Sequence, residues 1–178
     1  VEGDGGGRDP HSGATSRPSD VGEVGELSTY QLDVYRGEPE RTAKVLRDGC
    51  FYTGDLGAFD ADGFLSIVGR KKEIIGTGGE SVSPGEVEGV LANLPGIEEV
   101  AVVGLPDADW GEIVCAVIVP AEGGAPSLAD LQKYCDGRLA GYKHPRRVEV
   151  RERLPRTAAT GQVQRALLVQ EILSAPSN

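Results

Sequence analysis

Two runs rich in β-branched residues, EVAVVG from Glu99 to Gly104 and EIVCAVIVP from Glu112 to Pro120, constrain the fold of this chain more than any other feature. Short apolar runs bounded by Gly, Pro and Asp read as buried strands, and such strands need helices or another sheet to cover them. The flanking sequence supplies helices. Ser83-Pro84-Gly85-Glu86 has the pattern of a capping box with proline at the first helical position, and Val87, Val90, Leu91 and Leu94 then fall on one face. Ser127 caps a second helix that turns Leu128, Leu131, Tyr134, Cys135 and Leu139 inward. Arg147 to Val150 is a third short strand, and Val163 to Leu173 a last helix with Val163, Leu167 and Ile172 in register. This order predicts an α+β fold: a short sheet with helices on one side.

Upstream, the pattern is different. VEGDGGGRDPHSGATSRPSD, followed by Val21, is a glycine-rich head with little to bury, and disorder is expected over 1–21. GEVGELSTYQLDVY alternates enough for one or two strands, and PERTAKVLRDG reads as a short helix opening at Pro39. FYTGDLGAFDADGFLSIVGR reads as a hairpin turning at Asp60-Ala61-Asp62-Gly63.

The 178 residues suit one domain, or one plus a fragment, and a net charge of −10 argues against nucleic acid and anionic membrane surfaces as partners. Three scattered cysteines, Cys50, Cys115 and Cys135, do not make a disulfide framework and suit a reducing, cytoplasmic setting. With only His11 and His144 beside them, no metal-ligand spacing appears. The longest strongly apolar run, Val114 to Val119, is too short to span a bilayer, and the first residues lack the apolar core of a signal peptide. The chain contains no methionine and begins at Val1, which leaves a fragment, a processed product or an unusual start codon as its origin.

Several groups of residues could carry chemistry. In Tyr52-Thr53-Gly54-Asp55-Leu56, a carboxylate at a tight glycine turn can accept two hydrogen bonds from a ribose diol, and Arg70 could anchor the same sugar or its phosphate. A hairpin with a surface salt bridge fits the same spacing. Gly76-Thr77-Gly78-Gly79-Glu80-Ser81 either brings backbone close to a ligand ahead of a helix N-terminus or makes a flexible turn. Two positive patches, Arg70-Lys71-Lys72 and Lys143-His144 with Arg146-Arg147, could meet phosphates or form ordinary surface ion pairs. Asp60 and Asp62 lack the other ligands of a calcium loop, Asp107 and Asp109 read as a turn, and Cys135 sits on an apolar helix face as a core residue.

The order of these segments is more specific than any one of them. GEVGEL, RDGCFYTGDLG, DADGFLSIVGRKKEIIGTGGESVSPGEVEGVL, VAVVGLPDADWGE, YKHPRRVEV and LPRTAATGQVQR together resemble the C-terminal part of the adenylate-forming superfamily. That superfamily comprises acyl- and aryl-CoA synthetases, adenylation domains of peptide synthetases, and luciferases, and the wording here is most similar to the acyl-CoA synthetase branch. The resemblance runs from about Gly22 to about Leu168. It implies activation of a carboxylic acid by Mg-ATP to an acyl adenylate, then transfer of the acyl group to coenzyme A or to a carrier-protein thiol, with a small lid rotating between the two steps.

Under this resemblance, residues 22–68 are the tail of the large AMP-binding domain and 69–178 the lid, with Lys72 at the hinge. Asp55, Arg70 and Tyr52 fall at the adenylate site, with Asp55 on the ribose. Gly78, Gly79 and Glu80 match the loop that lines the pantetheine tunnel in the thioester-forming state, and Lys71 and Lys143 are expected near the coenzyme A phosphates. The phosphate loop, acyl pocket and adenine segment precede GEVGEL in the family, so magnesium would be held only through a large domain absent from these residues.

Gln162 departs from the pattern. The family has a lysine here that bridges the attacking carboxylate and the α-phosphate during adenylation, and Arg156-Thr157-Ala158-Ala159-Thr160-Gly161 carries one alanine more than the usual T-A-T-G. Loss of that lysine predicts an impaired first half-reaction with the thioester step retained. The alternatives are a non-catalytic lid that docks on a separate adenylating domain or a carrier protein, and a decayed pseudoenzyme.

Overall fold

The computed structural model describes residues 21–27 and 35–175, with Arg41 described for its backbone alone. Of the head expected over 1–21, residues 1–20 lie outside the described residues, as does the strand reading over 28–34. The chain divides into two compact units at Lys72/Glu73.

In the first unit, β3 (Cys50–Phe59) is the central strand. It pairs antiparallel with β1 (Gly22–Glu26), with the two-residue β2 (Leu46–Arg47) and with β4 (Leu65–Arg70). The helix expected from Pro39 is α1 (Pro39–Val45). The β3–β4 hairpin turns at Asp60, whose Oδ1 accepts the N–H groups of Asp62 and Phe64 at 3.0 and 2.8 Å. That carboxylate is thus committed to the turn, as the sequence indicates. Gly69 and Arg70 pair with Leu56 and Asp55 inside this sheet, within the first unit.

The second unit is built on β7 (Ile97–Asp107) and β8 (Gly111–Pro120), paired antiparallel along their length. The other edge of β8 carries β5 (Ile75–Thr77) near its start and the parallel β9 (Arg147–Val150) at Cys115–Ile118. A short outer strand, β6 (Glu80–Val82), pairs with β5. Helices α2 (Pro84–Leu91), α3 (Leu128–Cys135) and α4 (Arg165–Ser174) complete the unit.

The α+β class is as expected, but the sheet is covered on both faces. Val102, Val114, Ala116 and Ile118 pack with Val87 and Leu91 of α2 and with Leu131 and Cys135 of α3. The alternate residues Ala101, Val103, Leu105, Cys115, Val117 and Val119 pack with Leu154 and with Leu168 and Ile172 of α4. Successive strand residues point to opposite faces, so an unbroken apolar run such as Val114–Val119 needs cover on each side. Helices on one side would have left half of it wet.

Two caps with the same sequence signature behave differently. Ser127 and Asp130 form a reciprocal capping box at α3, and the Ser127 hydroxyl and backbone bonds hold the Asp130 carboxyl below its usual range. At α2 the N-cap is Ser83, as expected, but no side-chain bond caps the helix, and the Glu86 carboxylate instead holds Lys143. Helix α4 starts at Arg165 and not at Val163, because Val163 is drawn into a β-bridge with Arg156. Cys115 and Cys135 are core residues; burial pushes the Cys115 thiol up to about 12 and raises that of Cys135.

Candidate functional site

Within the first unit the hairpin sets Asp55 directly opposite Arg70. Arg70 Nε meets Asp55 Oδ1 at 2.8 Å, and Arg70 Nη1 donates to the Thr53 carbonyl at 3.4 Å. Thr53 braces the turn by taking the Asp55 N–H at 3.0 Å while its hydroxyl donates to the Val24 carbonyl. Gly54, at φ +74, supplies a left-handed step between Thr53 and Asp55 that a side chain would disfavour. Asp55 Oδ2 has no partner among the described residues, so the carboxylate can accept a diol donor while Arg70 keeps it oriented. The Tyr52 ring lies 3.9 Å beneath the Arg47 guanidinium. Lys71 is engaged by Glu23 at 2.7 Å, and Lys72 sits in the 3-10 turn Lys71–Glu73.

In the second unit the glycine cluster is not a loose turn. Ile75, Gly76 and Thr77 pair with Val82, Ser81 and Glu80, leaving Gly78 and Gly79 as a two-residue hairpin turn with φ of +59 and +85. Both central residues in the left-handed region match the twist of the flanking strands, which is why Gly-Gly is favoured there. The Gly78 N–H donates to the Trp110 carbonyl at 2.9 Å, and the Trp110 ring lies under Gly78 so closely that a Cβ would stand 2.8 Å from it. Arg146 covers the same indole at 3.7 Å, and Glu80 is exposed at the hairpin's edge. A Gly78→Ala variant should lose about 1–2 kcal/mol in urea unfolding, from the left-handed φ and the indole contact, with a shifted Trp110 emission; a stability and spectrum like those of the parent would contradict this packing.

Lys143 is already held. Its ammonium contacts both Glu86 oxygens at 2.6 and 2.7 Å, so a phosphate would have to compete with a carboxylate for it.

The segment Arg156–Val163 is a closed loop whose base is the Arg156–Val163 bridge. Inside it Thr157 N–H donates to the Gln162 carbonyl and Gly161 N–H to the Thr157 carbonyl, each at 2.9 Å. The base is thereby fixed, and Ala158 to Thr160 form the exposed tip. Gln162 is exposed, and its side-chain amide has no partner among the described residues. The two neighbouring cations are both occupied: Arg156 by Glu99 and by the Gly161 carbonyl, Arg165 by Glu73 at 3.0 Å and by Glu88 at 2.8 and 2.9 Å. No other cation stands on this loop.

Residues 86–160 match the family model of the AMP-binding enzyme C-terminal domain. The chain is 44% identical over 151 residues to feruloyl-CoA synthase of an Amycolatopsis species, covering 83% of this chain and 31% of that enzyme. It is 37% identical over 164 residues to oxalate–CoA ligase of Arabidopsis thaliana, covering 92% and 32%. Its fold superposes with a TM-score of 0.84 on the ATP-bound crystal structure of MatB from Rhodopseudomonas palustris, at 37% identity, covering 94% of this chain and 33% of that one. The chain belongs to the adenylate-forming superfamily, as its C-terminal part. It spans about a third of the length of these relatives. The family-model match stops at Thr160, two residues short of Gln162.

Some features of the site are visible only in the structure. The strands flanking Gly78-Gly79 had a signal, because a Gly-Gly pair between Ile75 and Val82 is a hairpin pattern. The contacts of Glu112 with Gly76 and of Trp110 with Gly78 had none, since each joins residues far apart in sequence. Among the described residues no cluster of His, Cys, Asp and Glu could hold a metal, and no helix is long and apolar enough to cross a membrane.

Proposed function

We propose that this chain is the lid and adjoining large-domain tail of an acyl-CoA ligase-type enzyme, impaired in ATP-dependent adenylation and retaining thioester formation with coenzyme A or a carrier-protein thiol. The observation that carries the reading is the contrast within the second unit: an ordered Gly78–Gly79 hairpin on one hand, and on the other a loop that offers only the neutral Gln162, with Arg156 and Arg165 both engaged by carboxylates.

Each residue then has a chemical task. Asp55 accepts the ribose hydroxyls of the adenylate and Arg70 orients it, with Tyr52 alongside. Lys72 is the hinge between the units. Gly78, Gly79 and Glu80 present backbone to the pantetheine arm. Lys71 and Lys143 meet the phosphates of coenzyme A after giving up Glu23 and Glu86. Bound coenzyme A supplies the thiol nucleophile. A lysine at 162 would offset the charge of two converging anions; glutamine offers at best a neutral donor, and one well-placed donor is worth roughly 3–4 kcal/mol in rate. Magnesium would be held by the large domain.

The decisive assay supplies preformed acyl adenylate and coenzyme A to the protein and follows thioester by chromatography. Thioester is expected at a rate well above its ATP-plus-acid reaction. No thioester from preformed adenylate removes the reading and leaves the lid as a docking module for a separate adenylating domain or a pseudoenzyme.

A further inference from the structure

The β5–β6 hairpin hangs from its sheet by little backbone. β5 shares one register pair with β8, Thr77 with Gly111, whereas β7 and β8 pair from Ile97–Pro120 to Asp107–Gly111. A hairpin held by one ladder pair would fray easily. Glu112 makes up the difference. Its Oε2 accepts the Gly76 N–H at 2.8 Å, so a side chain from the neighbouring strand stands in for a ladder carbonyl.

Glu112 can reach this position because of what lies beside it. It pairs with Pro106 across the β7–β8 ladder, and Gly104 is the diagonal neighbour on the same face. A Cβ at Gly104 would stand 2.7 Å from Glu112 Oε1 and 3.0 Å from its carboxyl carbon. Gly104 is extended and needs no left-handed φ, so its lack of a side chain serves space and not turn geometry. The missing side chain leaves the groove in which the Glu112 carboxylate lies. Thr77, between Gly76 and the turn, is 1% exposed, so the clamp sits where the hairpin enters the core.

We propose that Glu112 is a positioning residue for the Gly78–Gly79 turn: its carboxylate fixes β5 through the Gly76 N–H, and Gly104 is the notch that lets it do so. The functional consequence rests on the reading of that turn as the element facing the pantetheine arm. Glu112 itself touches no reacting group. It sets where the turn, and the Trp110 indole packed beneath it, stand when the thiol ligand arrives.

The test uses the full chain and compares E112A, E112Q and G104A with the parent. Hydrogen exchange at Gly76, Thr77 and Gly78 should accelerate about tenfold or more in E112A and in G104A, while Val114–Val119 stays protected; E112Q keeps an acceptor oxygen and should stay within about threefold of the parent. The chain's single tryptophan, Trp110, reports coenzyme A binding by fluorescence. Its titration midpoint should rise about fivefold or more in E112A and return in E112Q. Unchanged exchange at Gly76 in E112A, E112Q as fast as E112A, or loss of protection over the whole second unit would overturn the clamp. A parent that shows no coenzyme A response refutes the functional reading instead, and exchange still decides the clamp. An opened hairpin with an unshifted midpoint, in a parent that does respond, overturns the positioning role.

Discussion

Joined to the upstream two thirds of the Amycolatopsis feruloyl-CoA synthase ahead of Gly22, the chain carrying Gln162→Lys should form feruloyl adenylate about 10²–10³ times faster than the chain with Gln162, read as ATP- and ferulate-dependent pyrophosphate release. The size follows from the charge. During adenylation a carboxylate closes on an α-phosphate, and a fixed cation between them is worth more in a site shielded from water than in solvent. The loop supplies no substitute. Arg156 is tied to Glu99 and to the Gly161 carbonyl, and Arg165 to Glu73 and Glu88, so using either would break existing ion pairs. The closed base between Arg156 and Val163 fixes position 162 at the foot of the loop, which is why a single substitution should suffice. Thioester formation from preformed feruloyl adenylate should be the same in both chimeras. Equal adenylation rates in the two would remove the role assigned to Gln162.

Leu168→Ala should destabilise the second unit by about 3 kcal/mol, measured as a lower urea midpoint with an unchanged slope. Leu168 is fully buried and, with Ile172 one turn later, seats α4 on Ala101, Val103, Cys115 and Val117. Truncation would leave a cavity between a helix and a sheet face, neither of which can collapse far. A cost below about 1 kcal/mol would mean that α4 does not cover the sheet as described.

The strands β7, β8 and β9, the helices α2 and α3, and the β3–β4 hairpin follow from local pattern: apolar runs, Ser-Pro and Ser caps, and an Asp-Gly turn. Helix α4 was placed two residues early because Val163 is apolar and in helical register, and a long-range bridge to Arg156 overrides that local signal. Helices on one side of the sheet was the wrong half of an otherwise correct α+β reading, since the α4 sequence alone does not say which face it covers. At Ser83 the capping-box pattern was present, yet Glu86 found a stronger partner in Lys143, a charge that no local rule brings near.

By itself the sequence determined most of the elements and the family, because each is written in residues close together along the chain. Only the tertiary structure decided which charges are free to act. Among the described residues Asp55 keeps one oxygen open beside Arg70, whereas Lys71, Lys143, Arg156 and Arg165 are each held by a carboxylate. Glu86 and Glu99 each lie 57 residues from the cation they hold, and Glu73 and Glu88 lie 92 and 77 residues from Arg165. Ion pairing depends on distance in space, and packing sets that distance where sequence spacing does not.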